Sequence, residues 1–176
     1  MDNRPVLITG GAGFIGSNIA DRLAGEGHRV LLYDALSRPG VERNLAWLQQ
    51  RHGALIEPIV ADIRDAQAVA SAVRGAKAVL HMAAQVAVTT SLTDPRADFE
   101  TNALGTLNLL EAARACASPP PMIFASTNKV YGGLEDIAFD LVDDAYQPAD
   151  PQLHHGGKKK PRGGHGKRMY FIGWLF

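Results

Sequence analysis

An α/β fold built on a parallel sheet is predicted by three features of the sequence. Short aliphatic runs alternate with longer segments of helical period, glycines cluster where the first run hands over to the first helix, and an acid closes the second run. Residues 5–9 (PVLIT) read as a buried first strand. Residues 14–27 read as a helix, with Ile15, Ile19 and Leu23 four apart on one face and Gly25 and Gly27 closing it. Residues 29–33 (RVLLY) form the second strand, and 41–52 are expected to be helical with Leu45 and Leu48 inward. Residues 55–61 make a third strand, 65–74 a short Ala-rich helix and 77–82 (KAVLHM) a fourth strand. A long helix follows Asp94-Pro95 to about residue 116, with Ala103, Leu107 and Leu110 inward. Residues 121–125 lead the fifth strand, after the break at 119–121.

The 176 residues suit one domain with a sizeable core, and 46% apolar with 20% charged residues excludes a disordered or fibrous chain. Lys plus Arg equals Asp plus Glu, so net charge points to neither a nucleic-acid nor a membrane partner. That balance hides an asymmetry, because residues 1–150 carry −6 and residues 151–176 carry +6 with no acid at all. The single Cys116 excludes an internal disulfide framework and fits a reducing compartment. The N-terminus lacks a long apolar segment and no apolar run reaches about 18 residues, so a cytoplasmic-type domain is expected.

The strongest chemical signal is Thr9-Gly10-Gly11-Ala12-Gly13-Phe14-Ile15-Gly16-Ser17, which satisfies both G-x-G-x-x-G and the looser G-x-x-G-x-x-G. Glycines serve a tight turn, close approach of backbone to a pyrophosphate and close helix–strand packing, while the helix N-terminus offers N–H groups to phosphates. A Gly-rich turn alone can be only a turn. With a strand before it, a helix after it and Asp34 at the end of the second strand, 18 residues beyond Gly16, it reads as a dinucleotide site. The sheet expected is then Rossmann-type and doubly wound, about five strands in order 3-2-1-4-5, with the cofactor across the C-terminal strand ends. A carboxylate at Asp34 accepts from adenosine ribose hydroxyls and selects NAD over NADP, with Arg38 nearby softening the exclusion; the alternative is a solvated loop or cap residue. Asp62-Ile63 suits an adenine acceptor with an apolar wall, or an ordinary strand end. His81, a lone strand-end histidine, and Cys116 read as packing residues, and no spacing suggests a metal site.

TGGAGFIGS, Asp34, Asp62-Ile63, HMAAQ, Asn102 in FETNALGTLNLLEAA and the run STNKVYG at 126–132 together resemble the extended short-chain dehydrogenase/reductases of the NAD-dependent epimerase/dehydratase family, which act on nucleotide sugars. They fall in the family's order over about residues 5–135. Within the family, QVAVTTSLTDP, FETNALGTLNLLEAAR and STNKVYG are most similar to the CDP-paratose (CDP-tyvelose) 2-epimerase branch; 4-epimerases and 4,6-dehydratases share most of the scaffold. The resemblance implies NAD as cofactor, a nucleotide-sugar substrate and transient hydride transfer. It implies that Gly10, Gly13, Phe14, Ile15 and Gly16 contact the pyrophosphate, Asp34 the ribose, and Asp62 and Ile63 the adenine. Ala83, Ala84 and Gln85 line the cofactor, Asn102 stands near it, and Thr127 is the catalytic hydroxyl. A homodimer is left open.

The family's Tyr-x-x-x-Lys pair is not in the sequence: Tyr131 is followed four residues on by Glu135, Tyr146 by Asp150 and Tyr170 by Trp174. Residues 1–150 are therefore expected to form the NAD-binding domain, and 151–176 a basic, disordered tail where the C-terminal substrate domain is missing. Three readings of that break compete: a truncated or frameshifted epimerase that does not turn over, an NAD-binding module without catalysis, and a module whose tail (Lys158–Lys160, Arg162, Lys167, Arg168) touches nucleic acid or anionic lipid. The last is the weakest, because a short basic run is usually solvated.

Overall fold

A computed structural model of the chain describes residues 3–86, 88–126, 137–142, 145–151 and 170–172. The chain divides into two compact units, Met1–Ala125 and Ser126–Phe176. The change of composition near residue 150 falls inside the second.

The first unit holds five parallel strands, β1 (Val6–Thr9), β2 (Val30–Asp34), β3 (Ile56–Val60), β4 (Ala78–His81) and β5 (Met122–Ala125), in the order 3-2-1-4-5. This is the expected doubly wound, Rossmann-type sheet. Its central strands β1 and β2 are near-continuous apolar runs because both their faces are covered, whereas β3 at the edge carries exposed Glu57, Pro58 and Val60. Leu7, Leu31, Tyr33 and Val79 pack on one side under α3 (Ala66–Arg74) and α6 (Gly105–Arg114). Val6, Ile8, Val30 and Leu32 pack on the other under α1 (Phe14–Gly25) and α2 (Val41–His52). Register places Ile59, Tyr33, Thr9, His81 and Phe124 in one row across the sheet near its C-terminal edge.

Two inward faces differ from expectation. In α6 the buried residues are Gly105, Leu109, Ala112 and Ala113, whereas Leu107 and Leu110 are 50% and 42% exposed and Ala103 is also exposed. In α1 the fully buried residues are Gly16, Ser17, Ala20 and Ala24; of the expected stripe, Ile19 and Leu23 pack partly buried against the core, while Ile15 is half exposed. In both helices small residues take most of the buried positions, letting the axis approach closely, with Leu109 of α6 fully buried among them. A Cβ on Gly105 would lie 2.7 Å from Ile63 Cγ2, so a larger residue there would lift α6 off the core. The long helix expected after Asp94 is α5 (Pro95–Phe99), a π-turn (Glu100–Leu104) and α6 in succession, preceded by an unexpected short helix α4 (Val88–Thr93). Among the described residues no helix is long and apolar enough to cross a membrane.

In the second unit β6 (Phe139–Val142) and β7 (Ala145–Pro148) pair antiparallel, and β8 (Tyr170–Ile172) is a short strand. Most of the basic tail, 152–169, lies outside the described residues.

Candidate functional site

The loop from β1 to α1 is shaped by contacts only glycine tolerates. Gly10 has φ +67°, and a Cβ there would lie 2.7 Å from Ala83 N; a Cβ on Gly16 would lie 2.2 Å from Gly10 O. The start of α1 is thus pressed onto the loop, and the loop onto the chain leaving β4. Gly13 donates its N–H to Gly10 O at 3.1 Å and serves as N-cap without a side-chain cap. The first intrahelical bond runs from Ser17 N to Gly13 O, so the N–H groups of Phe14, Ile15 and Gly16 have no partner within the helix. Phe14 and Ile15 point outward beside them, 83% and 50% exposed.

Asp34, at the end of β2, faces this loop. Its Oδ2 accepts from Ala12 N–H at 3.0 Å and its Oδ1 from Leu36 N–H at 2.9 Å, where Leu36 takes φ 51°. A carboxylate has about four lone-pair sites, so two remain for a ligand. Asn44 Nδ2 ties the loop from behind through Ala12 O at 2.8 Å. Arg38, on the chain leaving β2, donates from Nη2 to Ala84 O at 3.0 Å and so links the exits of β2 and β4.

Asp62 is engaged by Arg64: Oδ1 accepts from Arg64 N at 2.9 Å and Nε at 3.0 Å, and Oδ2 from Nη2 at 2.7 Å. Hydrogen bonding from the Arg64 side chain holds the Asp62 carboxyl below the usual carboxylate range. The Ile63 side chain is 5% exposed and belongs to the core. Tyr33 donates its hydroxyl to Asp62 O at 2.7 Å, and burial first, then the charges of Asp65 and Asp62, push its pKa up to about 12.

Beyond β4 the chain is held by groups from several elements. Met82 N bonds Thr9 O at 3.0 Å and Ala83 N bonds Thr9 Oγ1 at 3.4 Å. Gln85 is gripped twice by Asn102, its N–H donating to Oδ1 at 2.8 Å and its carbonyl accepting from Nδ2 at 2.9 Å. The structure therefore brings Gly10, Gly13, Phe14, Ile15, Gly16 and Asp34 together at one strand edge, with Ala83, Ala84, Gln85 and Asn102 opposite the loop. Asp62 and Ile63 stand at the end of β3. Thr127 lies outside the described residues. Thr9, Thr106 and Asn44 were not singled out from the sequence. Thr9 could have been, as a polar residue ending an otherwise aliphatic buried strand.

A glycine loop between β1 and α1 of a doubly wound sheet, facing a carboxylate at the end of β2, is the architecture of the dinucleotide-binding class of α/β proteins. A family model described as GDP-mannose 4,6 dehydratase matches residues 7–151. The chain is 42% identical to the CDP-paratose 2-epimerase of Salmonella typhi over 147 residues, 82% of this chain and 43% of that protein. Among solved structures it is similar to the UDP-glucose 4-epimerase of Stenotrophomonas maltophila with bound NAD and formylated UDP-arabinopyranose, at TM-score 0.66 and 33% identity over 73% of this chain and 38% of that one. It is likewise similar to the dTDP-glucose 4,6-dehydratase of Streptomyces venezuelae with NAD bound, at TM-score 0.65 and 34% identity over 73% and 41% of the two chains. The chain belongs to the NAD-dependent nucleotide-sugar epimerase/dehydratase family. It spans less than half the length of each of these relatives.

Proposed function

We propose that the chain binds NAD on the glycine loop and is the cofactor-binding part of a nucleotide-sugar epimerase, most like a CDP-paratose 2-epimerase. The observation that carries this reading is the Gly10–Gly16 contact, which leaves an uncapped helix start beside a carboxylate with lone pairs to spare. Gly10 and Gly16 let the loop close on the chain at residue 83 and on the start of α1, and the N–H groups of Phe14, Ile15 and Gly16, which have no partner within the helix, fit a pyrophosphate.

In this reading the N–H groups of Phe14 and Ile15 donate to the pyrophosphate, with Gly10, Gly13 and Gly16 giving the backbone its close approach. Asp34 orders its loop through two N–H groups and turns its remaining lone pairs to the adenosine ribose hydroxyls, where its charge repels a 2′-phosphate. Asp62 offers its one remaining lone-pair site, on Oδ2, to the adenine amine, and Ile63 contributes backbone rather than side chain. Ala83, Ala84 and Gln85 form the opposite wall, fixed by Asn102. NAD, when bound, supplies a reversible hydride acceptor for a sugar carbon. Thr127 would hydrogen-bond the sugar oxygen, the part its counterpart plays in the resembling family. Residues 1–150 constitute the NAD-binding segment and 151–176 a separate basic tail. Because these 176 residues hold no Tyr-x-x-x-Lys pair, the chain binds the cofactor without turning over a sugar nucleotide.

Titration of the purified chain with NAD and NADP, followed by incubation with CDP- and UDP-sugars, tests this. Saturable NAD binding, weaker NADP binding and no sugar conversion are expected. A folded chain that binds neither dinucleotide overturns the cofactor assignment, and epimerisation by the chain overturns the inactivity.

A further inference from the structure

His81 is 1% exposed, and each ring nitrogen meets a threonine: Nδ1 stands 2.7 Å from Thr9 Oγ1 and Nε2 3.0 Å from Thr106 Oγ1. The proton positions follow from the partners. Thr106 Oγ1 donates its hydrogen to Asn102 O at 2.6 Å, so toward the ring it can only accept, and Nε2 carries the proton. Nδ1 is then the acceptor, and the Thr9 hydroxyl donates to it. The lone pairs of Thr9 Oγ1 are left to receive Ala83 N–H at 3.4 Å. One directed chain results, from Ala83 through Thr9, His81 and Thr106 to the backbone of Asn102, whose side chain grips Gln85 at both its N–H and its carbonyl.

This chain does what a strand ladder cannot do past the end of β4. Residues 83–85 have left the sheet, yet Ala83 N must stay close enough to Gly10 that no Cβ fits between them. The imidazole is the rigid spacer that couples the two ends of that wall, and Phe124 beside it, with ring centroids 5.4 Å apart, fixes its tilt.

We propose that His81, as the Nε2–H tautomer, is a positioning residue for the bound dinucleotide, setting through Thr9 and Thr106 the distance between the wall at 83–85 and the glycine loop. The inference rests on the NAD reading of that loop.

The test compares the full wild-type chain with Thr106→Val, which keeps the shape and removes the relay, and Thr106→Ser, which restores the hydroxyl. Affinity for NAD is measured below the melting temperature of each, and imidazole 15N shifts report the His81 tautomer. Thr106→Val is expected to bind NAD about fivefold more weakly, as for one lost net hydrogen bond, with Thr106→Ser returning to wild type. The wild-type spectrum is expected to show Nε2 protonated. A protonated Nδ1, or a folded Thr106→Val that binds as tightly as wild type, overturns the positioning role alone. No NAD binding by the folded wild-type chain overturns the cofactor reading beneath it.

Discussion

Replacing Gly16 with alanine sets two physical effects against each other, and the structure decides the sign. Gly16 lies in the first turn of α1, and intrinsic helix propensity favours alanine over glycine by about 1 kcal/mol. The added Cβ, however, would stand 2.2 Å from Gly10 O, 2.7 Å from Gly11 Cα and 2.9 Å from Gly10 C, where ordinary contact begins at 3.4 Å. All three are backbone atoms of the loop, so relief requires moving the helix or the loop by about 1 Å rather than turning a side chain. Overpacking of this kind costs about 1–3 kcal/mol, and a backbone obstacle places it at the upper end. The net expectation is destabilisation by about 2 kcal/mol, equivalent to a fall in Tm of roughly 6 °C for a chain of this size. Gly25→Ala is the matched control in the same helix. Its Cβ would meet nothing nearer than His52 Cε1 at 4.0 Å, so Tm should rise by a few degrees at most. Thermal unfolding followed by circular dichroism measures both. A Gly16→Ala chain as stable as wild type would refute the claim that this loop is closed by glycine contacts, since propensity alone would then govern.

Further outcomes follow from the same geometry. Burial pulls the folded-state pKa of His81 down to about 4 from an ordinary 6.5, so the unfolded chain takes up a proton at higher pH than the folded one. The stability is fully present above pH 6.5 and falls by up to about 3 kcal/mol as pH drops toward 4; urea midpoints at pH 7, 5.5 and 4 should show this slope, flattened in His81→Gln. Asp34→Asn leaves Ala12 N–H or Leu36 N–H facing an amide that cannot accept from it. A loss of about 1–2 kcal/mol in urea denaturation is expected, together with weaker NAD binding by calorimetry. Arg64→Ala removes a half-exposed ion pair, so stability should change by less than about 1 kcal/mol while an NMR titration shows the Asp62 carboxyl returning upward toward its ordinary range.

The sheet was legible because its central strands are short aliphatic runs needing cover on both faces, and the spacing of the strand runs allows little beyond alternating helices. The glycine loop and Asp34 were legible because their chemistry depends on local spacing along the chain. The helix faces were not. A stripe such as Ala103, Leu107 and Leu110 scores as the inward face on hydrophobicity, yet close approach to the sheet selects Gly105, Ala112 and Ala113, and the π-turn at Glu100–Leu104 breaks the regular period just before them. The bonds that hold residues 83–85 were also hidden, since Thr9 and His81 are 72 residues apart and His81 and Thr106 are 25 apart. Position along the chain carries no trace of such pairings. Asp62 illustrates a third gap: its place at the end of β3 was readable, but not its capture by a neighbour two residues on.

The central claim is that a dinucleotide lies across the C-terminal strand ends against the glycine loop, and amide NMR mapping of the 15N-labelled chain during an NAD titration tests it most directly. The account predicts saturable shifts concentrated at Gly10–Gly16, Ala35–Leu36 and Ala83–Gln85. Shifts that cluster instead around the cavity of about 360 Å³ lined by Val73, Arg74, Ala112 and Cys116, or no shifts in a well-folded chain, would contradict it.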